Sequence, residues 1–264
     1  MPFLKAGDSV LHYQLEGPPG KPSLLFSNSL GSDLRIWDPL LPHLAKDFRL
    51  VRYDSRGHGL SEAPPPPYTA GDLARDAVCL LDALQISETV VCGLSVGGVM
   101  AQQLAIDFSE RVRALVLCDT GARIGTETNW EERIATVKAN GLTVLVTPSM
   151  ERWFSEEFRR RNGTQVRGYA NMVLRTALDG YVGTCCALRD TDLTKAAASI
   201  SKPTLVLCGD QDIATPPDMA RELAAIIPNA RLFLIPGAGH ISCVEQPALM
   251  AAQIMQFLRE VQIG

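Results

Sequence analysis

Residues 87–105 read Ser87-Glu88-Thr89-Val90-Val91-Cys92-Gly93-Leu94-Ser95-Val96-Gly97-Gly98-Val99-Met100-Ala101-Gln102-Gln103-Leu104-Ala105. Thr89 to Cys92 is a short apolar, β-branched run bounded by polar residues and glycine, the composition of a strand buried on both faces. From Val96 to Ala105 the residues suit a helix. Between them Gly93-Leu94-Ser95-Val96-Gly97 has the form G-x-S-x-G in the strand–turn–helix setting that this motif requires. A serine on so sharp a turn is strained, and its neighbours two residues away on either side have no room for a Cβ, hence the glycines. The hydroxyl then projects from the carboxyl end of the strand, where the free N–H groups of the following helix also point. The plain alternative is a glycine-rich turn that merely contains a serine. The flanking strand and helix favour a nucleophile.

Outward from this centre the same rhythm repeats. Ser23–Ser27, Phe48–Tyr53, Arg113–Cys118, Pro203–Cys208 and Arg231–Ile235 read as further strands, and Val10–Leu15 as an edge strand. A helix with one apolar face runs through Leu73, Ala77, Leu81 and Leu84, introduced by Thr69 and Asp72 at the spacing of a capping box. Further helices are expected around Trp37 to Leu44, over Pro217–Ile227, and as one amphipathic element over Glu245–Val261. From Ala122 to about Ser199 strand-like runs nearly vanish, Arg and Glu cluster, and helical spacing dominates, which predicts an insertion of about four helices. Strands alternating with helices predict an α/β fold whose sheet is mostly parallel and covered on both faces. The domain reading is a core of residues 1–121 and 200–264 with a helical cap at 122–199. Ligands of such sheets bind beyond the carboxyl ends of the strands.

The chain has 264 residues with 46% hydrophobic and 20% charged content, enough for one large core. A formal charge of −4 offers no basic face for nucleic acid or anionic lipid. No apolar run approaches the roughly 20 residues that span a bilayer, and Met1 to Asp8 lacks the basic start and apolar centre of a signal peptide. Seven cysteines, with Cys92, Cys118 and Cys208 in expected core strands and no Cys/His cluster at ligand spacing, suggest reduced thiols in a cytoplasmic protein and no metal site.

A serine hydroxyl needs a base and a group that orients the base. Of four histidines, His12 and His43 fall in a strand and a helix and are read as structural. His58, in Asp54-Ser55-Arg56-Gly57-His58-Gly59, is expected to fix its loop. His240, in Gly237-Ala238-Gly239-His240 after the last strand, is the expected base. The acid should lie between Ser95 and His240 in the chain. Asp212 is preferred because it lies further into the loop that must reach His240, whereas Asp210 is expected to bind backbone N–H groups in the turn. Two N–H groups should hold the developing oxyanion, those of Val96 and of Leu30 in the Asn28-Ser29-Leu30-Gly31 turn, for which an ordinary turn is the alternative.

Taken together these residues resemble the α/β-hydrolase family over nearly the whole chain. The run Ser27-Asn28-Ser29-Leu30-Gly31, with Cys92 to Gly98 and Gly237 to Pro247, resembles the 3-oxoadipate enol-lactonases of bacterial aromatic-acid degradation. One departure is Asn28-Ser29, where most relatives carry His-Gly. The resemblance implies a cofactor-free serine hydrolase acting on a small carboxylate-bearing lactone. The substrate carboxylate would then need a cation. Arg133, beside the apolar face of Trp130, Ile134 and Val137, is a candidate, equally readable as an arginine snorkelling at a helix edge. Trp153 is a candidate pocket wall or a cap-core residue. Other carboxylesterases, carbon–carbon bond hydrolases and cofactor-free perhydrolases share such a scaffold, and a ligand receptor without turnover is the reading from another class.

Overall fold

The computed structural model describes residues 1–263 as an eight-stranded sheet flanked by helices. The strands are β1 (Phe3–Ala6), β2 (Ser9–Glu16), β3 (Ser23–Ser27), β4 (Arg49–Tyr53), β5 (Thr89–Leu94), β6 (Val112–Cys118), β7 (Thr204–Gly209) and β8 (Arg231–Ile235). Their spatial order is β1-β2-β4-β3-β5-β6-β7-β8, antiparallel at β1-β2-β4 and parallel from there on. β5, which delivers Ser95, lies between β3 and β6 in the middle of the sheet and is buried throughout.

Period-two alternation along these strands builds two cores. On one face Leu25, Val51, Val91, Leu115 and Val206 meet Leu73, Leu81, Val99, Leu104 and Leu223. On the other Leu24, Phe26, Leu50, Val90, Val116 and Leu205 meet Trp37, Leu40, Leu44, Ile254 and Phe257. The helices that supply these residues are α1 (Leu41–Leu44), α2 (Ala70–Ala83), α3 (Val96–Asp107), α9 (Pro217–Ile226) and α11 (Pro247–Glu260), with a 3₁₀ turn over Leu34–Leu40. The capping box opens α2 as expected: the Asp72 N–H donates to Thr69 Oγ1 at 3.1 Å, and the Thr69 N–H to Asp72 Oδ2 at 2.8 Å.

Between β6 and β7 lie α4 (Glu127–Asn140), α5 (Val146–Trp153), α6 (Glu156–Arg161), α7 (Gly163–Arg175) and α8 (Leu178–Asp190). These are five helices, one more than the spacing suggests. The run through Trp153, Phe154 and Phe158 breaks at Phe154, and Ser155 caps a new helix by accepting the Phe158 N–H. The closing segment divides in the same way into α10 (Ser242–Glu245) and α11, because Pro247 starts a helix readily and cannot continue one. The strand read as an edge is covered by β1, whose four residues are too few to give a periodic signal. Among the described residues no helix is long and apolar enough to cross a membrane, and the seven cysteines are free thiols.

Candidate active site

Ser95 has φ 57° and ψ −117°, a conformation that costs about 1–3 kcal/mol outside glycine and persists only where the surroundings impose it. Here they do. The Ser95 N–H donates to the Cys118 carbonyl at 3.0 Å, and the Thr120 hydroxyl donates to the Ser95 carbonyl at 2.7 Å. A Cβ at Gly93 would overlap the Gly97 carbonyl, and one at Gly97 would overlap the carbonyl of Ser27. Both glycines are therefore steric requirements of the turn.

His240 and Asp212 reach this place from the ends of β8 and β7. Asp212 Oδ2 lies 2.9 Å from His240 Nδ1 and accepts the Thr215 hydroxyl at 2.7 Å, while Oδ1 accepts the N–H groups of Ala214 and Thr215 at 2.7 and 3.0 Å. Burial alone would raise this carboxyl, but the charge and hydrogen bond of His240 and the donors of Thr215 hold it below its ordinary value. Burial would likewise depress the imidazole. Asp212's charge and hydrogen bond outweigh it and hold His240 above the ordinary histidine value. Gly209 lets the loop come close, since a Cβ there would overlap the carbonyl of Gly239. Asp210 accepts the Gly237 N–H at 2.8 Å and so fixes the turn, as its position suggests.

Ser95 and His240 line one cavity with Leu30, Arg133, Trp153 and Tyr181. Ser95 Oγ and His240 Nε2 form no hydrogen bond with each other and none with any other described residue, so both are free to serve a ligand. Contacts of this kind tighten when substrate binds. The N–H groups of Leu30 and Val96 are likewise spent on no other group among the described residues. The turn that carries Leu30 is braced from several sides. Asn28 donates to the Tyr53 carbonyl at 2.8 Å and accepts the Trp37 indole N–H at 2.9 Å, while the Gly31 N–H donates to His58 Nε2 at 3.0 Å. His58 thus fixes its loop, and burial keeps it neutral by lowering its pKa. His12 is bound through Nδ1 to Asp54 at 2.8 Å and does not line the cavity of Ser95.

The free space beside Ser95 is only about 50 Å³, but Ile124, Trp130, Arg133, Arg152 and Ala214 also line an adjoining chamber of about 430 Å³. Arg133 lies over the Trp130 ring at 5.5 Å and donates to the Tyr181 hydroxyl at 3.3 Å. Trp153 is buried and serves both as cavity wall and as core, its carbonyl accepting the Ile241 N–H at 2.9 Å. Arg152 was not singled out by sequence. It stands at the mouth, where burial and the like charge of Arg133 lower its pKa. Neither arginine has a carboxylate partner among the described residues. A sequence signal exists. On its helix Arg133 has no acidic residue three or four positions away, and Arg152 has none before its helix ends at Trp153, whereas Arg160 has Glu157.

Residues 22–247 match the model of the alpha/beta hydrolase fold family. The chain is 36% identical to 3-oxoadipate enol-lactonase 2 of Acinetobacter baylyi over 92% of its length and 91% of that enzyme. Among solved structures it is similar to the enol-lactonase from Burkholderia xenovorans, with TM-score 0.95 and 36% identity over 98% of this chain and 100% of that one. It is also similar to a thermophilic esterase from Thermogutta terrifontis solved with malate bound, with TM-score 0.90 and 29% identity over 96% and 94% of the two chains.

Proposed function

The chain belongs to the α/β-hydrolase family, and we propose that it opens the ring of 3-oxoadipate enol-lactone to give 3-oxoadipate, acting as a carboxylic ester hydrolase. The observation that carries this reading is one cavity in which the unpaired Ser95 Oγ and His240 Nε2 meet two arginines without acidic partners. A neutral ester would leave both cations unanswered, whereas a lactone with a carboxylate arm places its carbonyl at Ser95 and its charge at the mouth. The malate held by the Thermogutta terrifontis esterase supports an anion-binding site on this scaffold. In this reading residues 122–199 form a cap over a core of 1–121 and 200–264.

His240 takes the proton of Ser95 as Oγ attacks the lactone carbonyl, and the oxyanion lies on the N–H groups of Leu30 and Val96. Each such donor is worth about 10²–10³ in rate. Collapse breaks the ring C–O bond, and the leaving enol oxygen receives the proton held by His240. The enol tautomerises to the ketone. Water then gives a proton to His240 and attacks the acyl-enzyme. Collapse returns that proton to Ser95 and releases the second carboxylate. Asp212 holds the imidazole with Nε2 toward Ser95 and stabilises its charged form, a role whose loss costs about 10⁴ in rate. Arg133 and Trp153 line the part of the site that takes the carboxylate arm.

The test is a substrate panel followed by loss of the enol-lactone absorbance, with Ser95→Ala as control. Efficient turnover of the enol-lactone, abolished in a folded Ser95→Ala variant, is the expected result. Near-normal rates in that variant, or indifference to the lactone beside neutral esters, would refute the assignment.

A further inference from the structure

Asp119 follows β6 at the carboxyl edge of the sheet, beside the end of β7, and it is fully buried. Its Oδ1 accepts the Gly209 N–H at 2.8 Å, where the acid-bearing loop begins. Its Oδ2 is in a short hydrogen bond with the Ser242 hydroxyl, two residues beyond His240. One carboxyl group thus ties the loop of Asp212 to the loop of His240. Oxygens of Asp119 and Asp212 also lie within 4.8 Å of each other. The mechanism above uses only one of the two.

We propose that Asp119 is a positioning residue and the reserve carboxylate of this site: it tethers the two loops and takes over the negative charge beside His240 when Asp212 cannot carry it. This rests on the Ser95–His240–Asp212 reading. Two carboxylates so close in a buried site do not both ionise. Asp212 keeps the charge because two N–H groups, the Thr215 hydroxyl and the imidazole all serve it. Burial and the charge of Asp212 push the Asp119 carboxyl up to about 8, so it is the weaker acid of the pair, with its Oδ2 accepting the Ser242 hydroxyl. The other titratable groups around it are His240 from the β8 side and the thiols of Cys118, Cys208 and Cys243, which burial pushes up and keeps neutral, while Arg152 from α5 acts on Asp212 and His240. Neutralising Asp212 removes the like charge. Asp119 then ionises more readily, and its charge acts on the same imidazole.

The experiment compares Asp119→Asn, Asp212→Asn, the double variant and Asp212→Asn/Ser242→Ala, each checked for folding by circular dichroism. Hydrolysis of both the enol-lactone and p-nitrophenyl acetate is followed from about pH 5 to about pH 9, spanning the histidine and raised-carboxylate ranges. Asp119→Asn alone should cost no more than about fivefold at neutral pH, while its addition to Asp212→Asn should cost at least about tenfold, the non-additivity of a shared network. The activity left in Asp212→Asn should rise with pH as Asp119 ionises, an inflection absent from the double variant. Asp212→Asn/Ser242→Ala should stay within about threefold of Asp212→Asn, since it loosens the tether and keeps the charge. A double variant no slower than Asp212→Asn, or an equal loss on removing Ser242, would overturn the proposal. If Asp212→Asn matches the wild type on p-nitrophenyl acetate, the triad itself is misassigned. A failure confined to the lactone touches only the substrate reading.

Discussion

Replacing Arg133 by methionine keeps an unbranched stem against Trp130 and removes the charge together with the hydrogen bond to Tyr181. Its guanidinium is half-buried, lies over an indole 5.5 Å away and is already turned toward Tyr181, so little ordering remains to be done when an anion arrives. A charge-assisted hydrogen bond in such a place is worth about 1.5–3 kcal/mol, which is roughly tenfold to 150-fold in kcat/KM. Arg152 is more open to solvent, and screening weakens it, so Arg152→Met should cost only about threefold to tenfold. Because the two like charges are near each other, removing either should leave the melting temperature of the free protein unchanged or slightly higher. The assay is kcat/KM for the enol-lactone beside a neutral p-nitrophenyl ester, with melting curves of the same preparations. The reasoning fails if Arg133→Met slows both substrates equally. Such a result would make the arginine a packing residue whose charge faces no ligand.

Two further outcomes follow from the site and its turn. His240 must be neutral to accept the serine proton, and Asp212 raises its pKa, so the acid limb of kcat/KM should lie above about pH 6.5, the ordinary histidine value, and move to lower pH once Asp212 and Asp119 are both replaced by Asn. An unchanged limb would detach His240 from the rate. Gly97→Ala drives a methyl group into the Ser27 carbonyl; overpacking of this kind costs about 1–3 kcal/mol, and the turn that aims Ser95 should shift, with activity falling more steeply than stability in paired kinetic and denaturation measurements.

What the sequence makes legible here is whatever one local rule decides. Strands such as Ser23–Ser27 and Arg231–Ile235 follow from short apolar runs between turn residues, and Gly93 and Gly97 follow from a serine that must stand on a sharp corner. Asp210 could be set apart from Asp212 because loop position limits reach, and His58 could be read as a residue that fixes its loop. Contacts between segments distant in the chain leave no such local mark. Thr215 serves Asp212, and Asp119 bridges Gly209 and Ser242, only because β6, β7 and β8 end side by side. Arg152 escaped notice for a different reason: the lack of an acidic residue at helical spacing on its short helix is a weak mark, and it takes the shape of the chamber to give it meaning.

His240, the proposed base, follows β8, which among the described residues pairs only with β7 and has Arg231 exposed and Leu232 to Leu234 half-buried. Ser95, by contrast, follows a central strand that is buried along its whole length. On the proposed mechanism, peeling at this margin of the sheet would silence the enzyme while most of its tertiary structure survives, and a ribosome-bound chain stays inert until β8 and the His240 loop have emerged and docked.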